Sequence, residues 1–179
     1  VGDSKISCYH GSSHGQVSFQ KSFAKSCNSS FANIGMSLDR EAFQETLNDL
    51  LFNKDLPLTL NYAKSSAIVS ESTPSAEMMQ TSIGQGKTQI TPMHLNMITC
   101  AIANDGVLMK PYVIDHVEND EGTVVKSFKA SEYGRLMTED ESAILKQLMT
   151  DVVEEGTASK LRGLIYTAAG KTGSAEYNN

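Results

Sequence analysis

An α+β fold is what this amino-acid sequence predicts, on three observations. Apolar residues recur at helical spacing in several segments, two short apolar runs flank a polar turn as in a β-hairpin, and no βαβ repetition occurs. The 179 residues are 40% hydrophobic and 7% aromatic, enough for one globular unit over 1–179 with a core of its own.

Taken in order, the first fifteen residues end in Gly11-Ser12-Ser13-His14-Gly15 and read as turn and loop. From Val17 to about Gly35, Phe19, Phe23, Phe31 and Ile34 sit among small polar residues, the pattern of a partly buried helix pair with Phe19 and Phe23 inward at i, i+4. A helix follows from about Asp39 to Phe52, with Phe43, Leu47, Leu50 and Leu51 on one face. Residues 53–75 hold two prolines and many Ser, Thr and Asn, and read as loop. Ile83-Gly84-Gln85-Gly86 is a tight turn. Thr91 then caps a helix that has Pro92 in its first position and runs to Asn104, with Asp105-Gly106 as its stop. Residues 112–117 and 123–128 pair around Asn119-Asp120-Glu121-Gly122 as a hairpin. Thr138-Glu139-Asp140-Glu141 is a capping box opening a helix that buries Ile144, Leu145, Leu148 and Val152 and ends at Gly156. Residues 166–175 have strand character interrupted by Gly170 and Gly173.

Composition excludes several function classes. A net charge of −6 and a pI near 5.2, with no basic run, argue against a nucleic-acid partner. No stretch approaches the roughly 20 consecutive apolar residues of a membrane span, and the polar opening Val1-Gly2-Asp3-Ser4-Lys5 is no signal peptide. The chain opens without Met and stops at Glu176-Tyr177-Asn178-Asn179, so both ends are expected to be cuts in a longer protein. Cys8, Cys27 and Cys100 are odd in number and lack CxxC spacing, and the four histidines form no HExxH pattern. The expectation is therefore three thiols, His10 and His14 as loop residues, and neither metal nor cofactor, although a Cys8–Cys27 bridge is conceivable.

Two short motifs carry chemistry. Ala169-Gly170-Lys171-Thr172-Gly173-Ser174-Ala175-Glu176 contains Lys-Thr-Gly, a triplet expected by chance in only a few per hundred chains, as a rough estimate from average usage. Its glycines fit a bulged strand end. The same residues fit an anion-binding edge, with charge from Lys171, hydroxyl donors on Thr172 and Ser174, and open backbone at Gly173. The second motif, Ser26-Cys27-Asn28, is a Ser-x-Asn triplet that also reads as helix capping.

Together, Ser-x-Asn upstream and Lys-Thr-Gly downstream are two of the three motifs S-x-x-K, S-x-N and K-T-G. On them the chain resembles the penicillin-binding proteins, specifically their transpeptidase domain. The resemblance extends through Gly15-Gln16-Val17, Ala24-Lys25-Ser26-Cys27-Asn28-Ser29-Ser30-Phe31, Ile83-Gly84-Gln85-Gly86 with Thr91-Pro92-Met93, Ala103-Asn104-Asp105-Gly106 with Lys110-Pro111-Tyr112, and Glu155-Gly156-Thr157-Ala158. Phe52-Asn53-Lys54-Asp55-Leu56-Pro57 looks more like the monofunctional class B than the bifunctional class. The fold so implied is β-lactamase/transpeptidase-like, a helical subdomain with an antiparallel sheet, here incomplete.

What the resemblance implies is a serine D,D-transpeptidase. It would cross-link peptidoglycan stem peptides ending in D-Ala–D-Ala and be acylated by β-lactams, outside a membrane to which an upstream segment anchors it. Ser26, Asn28 and Lys171 would be catalytic, and Thr172, Gly173 and Ser174 would bind the substrate carboxylate, with the Ser174 N–H as an oxyanion donor. No cofactor is implied. The departure is the nucleophile. The only S-x-x-K matches, Ser18-Phe19-Gln20-Lys21 and Ser22-Phe23-Ala24-Lys25, lie too close to Ser26, so the chain as given is expected to lack the nucleophilic segment, the following strands and acylation activity. A β-lactamase or β-lactam sensor of the same fold, and a non-catalytic peptidoglycan-binding scaffold, are the alternative functions.

Overall fold

Caps written into the sequence set most helix starts. The computed structural model describes residues 6–174. After a 3-10 turn at Tyr9–Gly11, helix α1 (Phe19–Ala24) starts at Ser18, whose hydroxyl accepts the Lys21 N–H. Helix α2 (Asn28–Ser37) follows at once, and α3 (Arg40–Asp49) is capped by the Asp39 carboxylate on the Ala42 N–H. Helix α5 (Pro92–Ala103) has Thr91 as its cap and Pro92 in its first turn, where a missing N–H costs nothing. Helix α6 (Glu139–Glu154) opens on the complete Thr138–Glu141 capping box.

Three elements have no strong sequence signal. Helix α4 (Ser75–Thr81) lies between the loop and the turn at residues 83–86. Strand β1 (Val107–Met109) pairs antiparallel with β4 (Glu132–Arg135). Between them stands the expected hairpin, shortened to β2 (His116–Glu118) and β3 (Val124–Ser127), with every residue of both strands exposed. A second 3-10 turn covers Ser159–Leu161.

The core lies on both sides of α5. One cluster joins Leu51, Leu56, Met97, Ala101, Leu108 and Leu136, and the other joins Leu47, Phe52, Ala67, Val69 and Met78. The predicted face of α3 is met, since Leu47 and Leu51 are buried and Phe43 and Leu50 pack against these clusters. Between the clusters the His94 ring is buried, bonding the Leu50 carbonyl through Nε2 at 2.7 Å.

Three expectations fail. Phe19 is 54% exposed, because the inward face of α1 is built from the small residues Ser22 and Ala24. On α6, Leu148 and Val152 are buried as expected, but Ile144 is 58% exposed, and Ser142, Asp151 and Val153 turn inward instead. Those two polar residues are buried because they are satisfied. The Ser142 hydroxyl donates to the Ile102 carbonyl at 2.7 Å, and Asp151 accepts from Gln20 and Gln147 at 2.6 and 3.0 Å. Finally, residues 166–174 belong to no strand among the described residues; Ala175 and Glu176, like Val1 to Lys5, lie outside them.

The cap at Thr138 yields a prediction. Thr138→Ala should cost about 1 kcal/mol in urea unfolding. The Thr138 backbone N–H, and then its hydroxyl, hold the Glu141 carboxyl below its ordinary value. A lowered carboxyl stabilises the fold above its unfolded pKa and loses that contribution as pH falls through the folded value. The gap between the parent and Glu141→Ala should therefore be full at neutral pH and close in acid.

Candidate active site

Helix α1 ends in a tight closure that sets the first site residue. The Cys27 N–H bonds the Ser22 carbonyl at 2.9 Å and the Ser26 N–H bonds Phe23 at 3.1 Å, with Ser26 left-handed at φ +52°. This is a Schellman motif, whose left-handed position glycine normally fills. Serine there is conformationally costly, and its hydroxyl meets the Lys171 ammonium at 2.7 Å.

The seam between α1 and α6 holds the two together. Gln20 donates to Asp151 at 2.6 Å, Lys25 Nζ donates to the Glu155 carbonyl, and the Thr157 N–H donates to the Ala24 carbonyl at 3.2 Å. Residue 156 is glycine where the chain passes Ala24, and an added Cβ would sit 2.1 Å from the Ala24 oxygen. The Lys171 segment is tied to the same helix by the Gly170 N–H on the Met149 carbonyl at 3.1 Å. The Thr157 and Thr172 hydroxyls bond at 2.6 Å.

These elements enclose a cleft of about 850 Å³, whose walls include Ser26, Asn28, Thr172, Ser174, Thr157 and Gln85. Asn28 opens α2 and donates its amide N–H to the Ser7 carbonyl at 3.1 Å. Lys171 also donates to the Thr172 carbonyl at 3.0 Å, and its ammonium lies 5.9 Å from the Phe23 ring centroid. Partial desolvation beside these groups lowers its pKa from the ordinary lysine value. Gly173 has open space around its Cβ position, and the Ser174 carbonyl faces the Gln85 amide at 3.5 Å.

Ser26 and Lys171 thus touch, and Asn28, Thr172 and Ser174 line the same cleft as Ser26, while Gly173 sits in the segment between the last two. Neither S-x-x-K serine lines this cleft. Ser18 is spent on capping α1, and Ser22 is 2% exposed within it. Sequence reasoning gave no role to Thr157 or Gln85, although Glu155-Gly156-Thr157-Ala158 and Ile83-Gly84-Gln85-Gly86 stood out as patterns.

It also missed a cluster on the cleft's rim. Cys8 and Cys27 are buried free thiols with their sulfurs 3.7 Å apart, and His14 lies beside them. Burial raises the Cys8 thiol, but hydrogen bonds from the Ser29 backbone and side chain, from Cys27 and from His14 outweigh it, leaving it at about 7. Together the three residues offer two sulfurs and one ring nitrogen to a metal.

The chain has relatives among known proteins. The family model for the penicillin binding protein transpeptidase domain covers residues 1–179. The peptidoglycan D,D-transpeptidase PbpA of Mycolicibacterium smegmatis is 29% identical over 164 residues, covering 90% of this chain and 32% of that protein. The chain thus spans about a third of that curated relative. The crystal structure of PBPA from Mycobacterium tuberculosis superposes with a TM-score of 0.82 at 25% identity, over 93% of this chain and 39% of that one. The imipenem acyl-enzyme complex of penicillin-binding protein A from M. tuberculosis gives 0.77 at 25% identity, over 85% and 35%.

Two substitutions test the seam. Gly156→Ala should destabilise by about 1–3 kcal/mol, the usual cost of overpacking, because the obstacle is backbone. Ser26→Gly should leave stability unchanged or raise it by up to about 1 kcal/mol, since glycine relieves the left-handed strain. Urea midpoints of both variants read these directions; a clear loss in Ser26→Gly would contradict the strain argument.

Proposed function

The chain belongs to the penicillin-binding protein transpeptidase family, and on that premise we propose that residues 1–179 act as one unit supplying two walls of a serine D,D-transpeptidase site. The observation that carries this reading is the 2.7 Å bond from Lys171 Nζ to Ser26 Oγ, which joins the S-x-N and Lys-Thr-Gly motifs. Its substrates are peptidoglycan stem peptides ending in D-Ala–D-Ala, and β-lactams acylate it in their place.

The chemistry follows from the donors. An attacking serine passes its proton into the relay that includes Ser26 and Lys171, its oxygen bonds the carbonyl carbon of the penultimate D-alanine, the C–N bond to the terminal D-alanine breaks, and the departing nitrogen takes a proton from that relay. Ser26 accepts from Lys171, so its own hydroxyl proton is free to point into the cleft and serve that nitrogen. Lys171 is the cation behind it. The Thr172 and Ser174 hydroxyls hold the terminal carboxylate, and the Ser174 N–H is an oxyanion donor. Gly173 leaves room for ligand backbone. Asn28 holds the substrate amide and the lysine of the S-x-x-K segment. Because Ser18 and Ser22 are structural, the attacking serine comes from another segment. An upstream anchor would place the site on the outer face of the cytoplasmic membrane, where peptidoglycan is assembled.

Fluorescent penicillin labelling of the full-length protein tests this. Lys171→Ala should slow acylation about 100-fold or more, and a near-parental rate would sink the assignment. Deacylation should be slow; rapid turnover would point to a β-lactamase and an absent adduct to a scaffold. The lowered Lys171 pKa sets a pH signature. The cation exists only below that pKa, so carboxylate binding should decline on the alkaline side, at a pH below the ordinary lysine range. Residues 1–179 alone should form no adduct, and intact-mass analysis placing one on Ser18 or Ser22 would overturn the structural role given to both.

A further inference from the structure

We propose that Cys8, His14 and Cys27 bind one zinc ion at the rim of the cleft. The donor atoms of the three residues all lie within 4.8 Å of one another. Two thiolates on a tetrahedral zinc, each at about 2.3 Å, stand about 3.8 Å apart, and the two sulfurs here are separated by 3.7 Å. A disulfide would require closure to about 2.05 Å. His14 brings one ring nitrogen within 4.8 Å of both sulfurs, and its Nδ1 is buried without a hydrogen-bond partner.

The surroundings suit thiolates. The Ser30 hydroxyl donates to Cys27 Sγ at 3.2 Å, and the Ser29 hydroxyl lies 3.6 Å from Cys8 Sγ, so each sulfur has an outer partner. Two thiolates and a neutral imidazole balance the charge of a divalent ion, and a mixed S/N donor set selects zinc over magnesium or calcium. Three protein donors leave the fourth tetrahedral position to water or a further ligand.

The consequence is mechanical. Cys27 stands between Ser26 and Asn28 and directly precedes α2, while Cys8 lies beside Ser7, whose carbonyl receives the Asn28 amide. One ion would clamp the loop before α1 to the start of α2 and fix the direction of both motif side chains. Zinc here is a positioning element and takes no part in acyl transfer.

The test uses the full-length protein, purified anaerobically with mild reductant, and its primary readout is metal content, which is independent of acylation. One zinc per chain is expected. Cobalt in its place should show thiolate charge-transfer and tetrahedral ligand-field bands. A strong chelator should lower the melting temperature, and zinc should restore it. Cys8→Ser, Cys27→Ser and His14→Ala should each weaken affinity at least about tenfold, a bound taken from losses of outer-shell partners alone; Cys100→Ser should retain the ion. If those variants misfold, the cobalt spectrum of the unmutated protein decides. Protein that stays metal-free when zinc is supplied, an octahedral cobalt spectrum, or a Cys8–Cys27 disulfide persisting under these conditions would each overturn the proposal.

Discussion

The site exists because α1 lies close enough to α6 for the Ala24 carbonyl to occupy the place of a residue 156 side chain. A helix of six residues has no stability of its own in water, since nucleation consumes what so few bonds return. Its position is therefore set by what it touches. Gln20 on Asp151, Lys25 on the Glu155 carbonyl and Ala24 against Gly156 and Thr157 register it on the last turns of α6. That register carries Ser26 to Lys171, which reaches the same helix through Gly170 and Met149. A carboxylate buried at this seam is tolerated because both Asp151 oxygens receive amide N–H groups.

The opposite wall repeats the device. Gly35 on α2 lies so close to α4 that an added Cβ would fall 1.7 Å from the Ser82 hydroxyl oxygen. The chain leaving α4 then turns through Gly84 and Gly86, both with positive φ, and delivers Gln85 to the cleft. Close packing at two glycines thus decides the separation of the walls, and polar contacts decide their register.

Where the sequence was legible, a side chain was answering its own backbone. Thr91, Asp39 and Thr138 cap helices within three residues of themselves, so local pattern suffices. Helix α4 escaped because it is seven residues long, follows Pro74 and lacks a side-chain cap. Strands β1 and β4 are short, irregular at Leu108/Met109 and far apart in sequence. Phe19 and Ile144 misled for a different reason: hydrophobic periodicity assumes apolar residues face inward, whereas this seam buries serine, alanine and aspartate to bring backbones together. The Ser26 and Lys171 motifs were legible by type and order, but their contact depends on tertiary register. Cys8, His14 and Cys27 were not, because irregular spacing hides donors that only a loop and a helix start bring together.

Left-handed non-glycine residues show how the fold separates strain from function. Ser26, Leu51 and Asp105 each follow a helix C-cap with positive φ. Leu51 repays its strain in the core, buried among Leu56, Met97 and Ala101. Asp105 does so on the surface, pairing with Lys146 at 2.5 Å. Ser26 buries no large side chain, and its hydroxyl faces a lysine whose own charge is disfavoured by desolvation. Two unfavourable terms meet at one bond, which packing alone does not explain. The arrangement makes sense if that bond is kept for what it does to a ligand in the cleft.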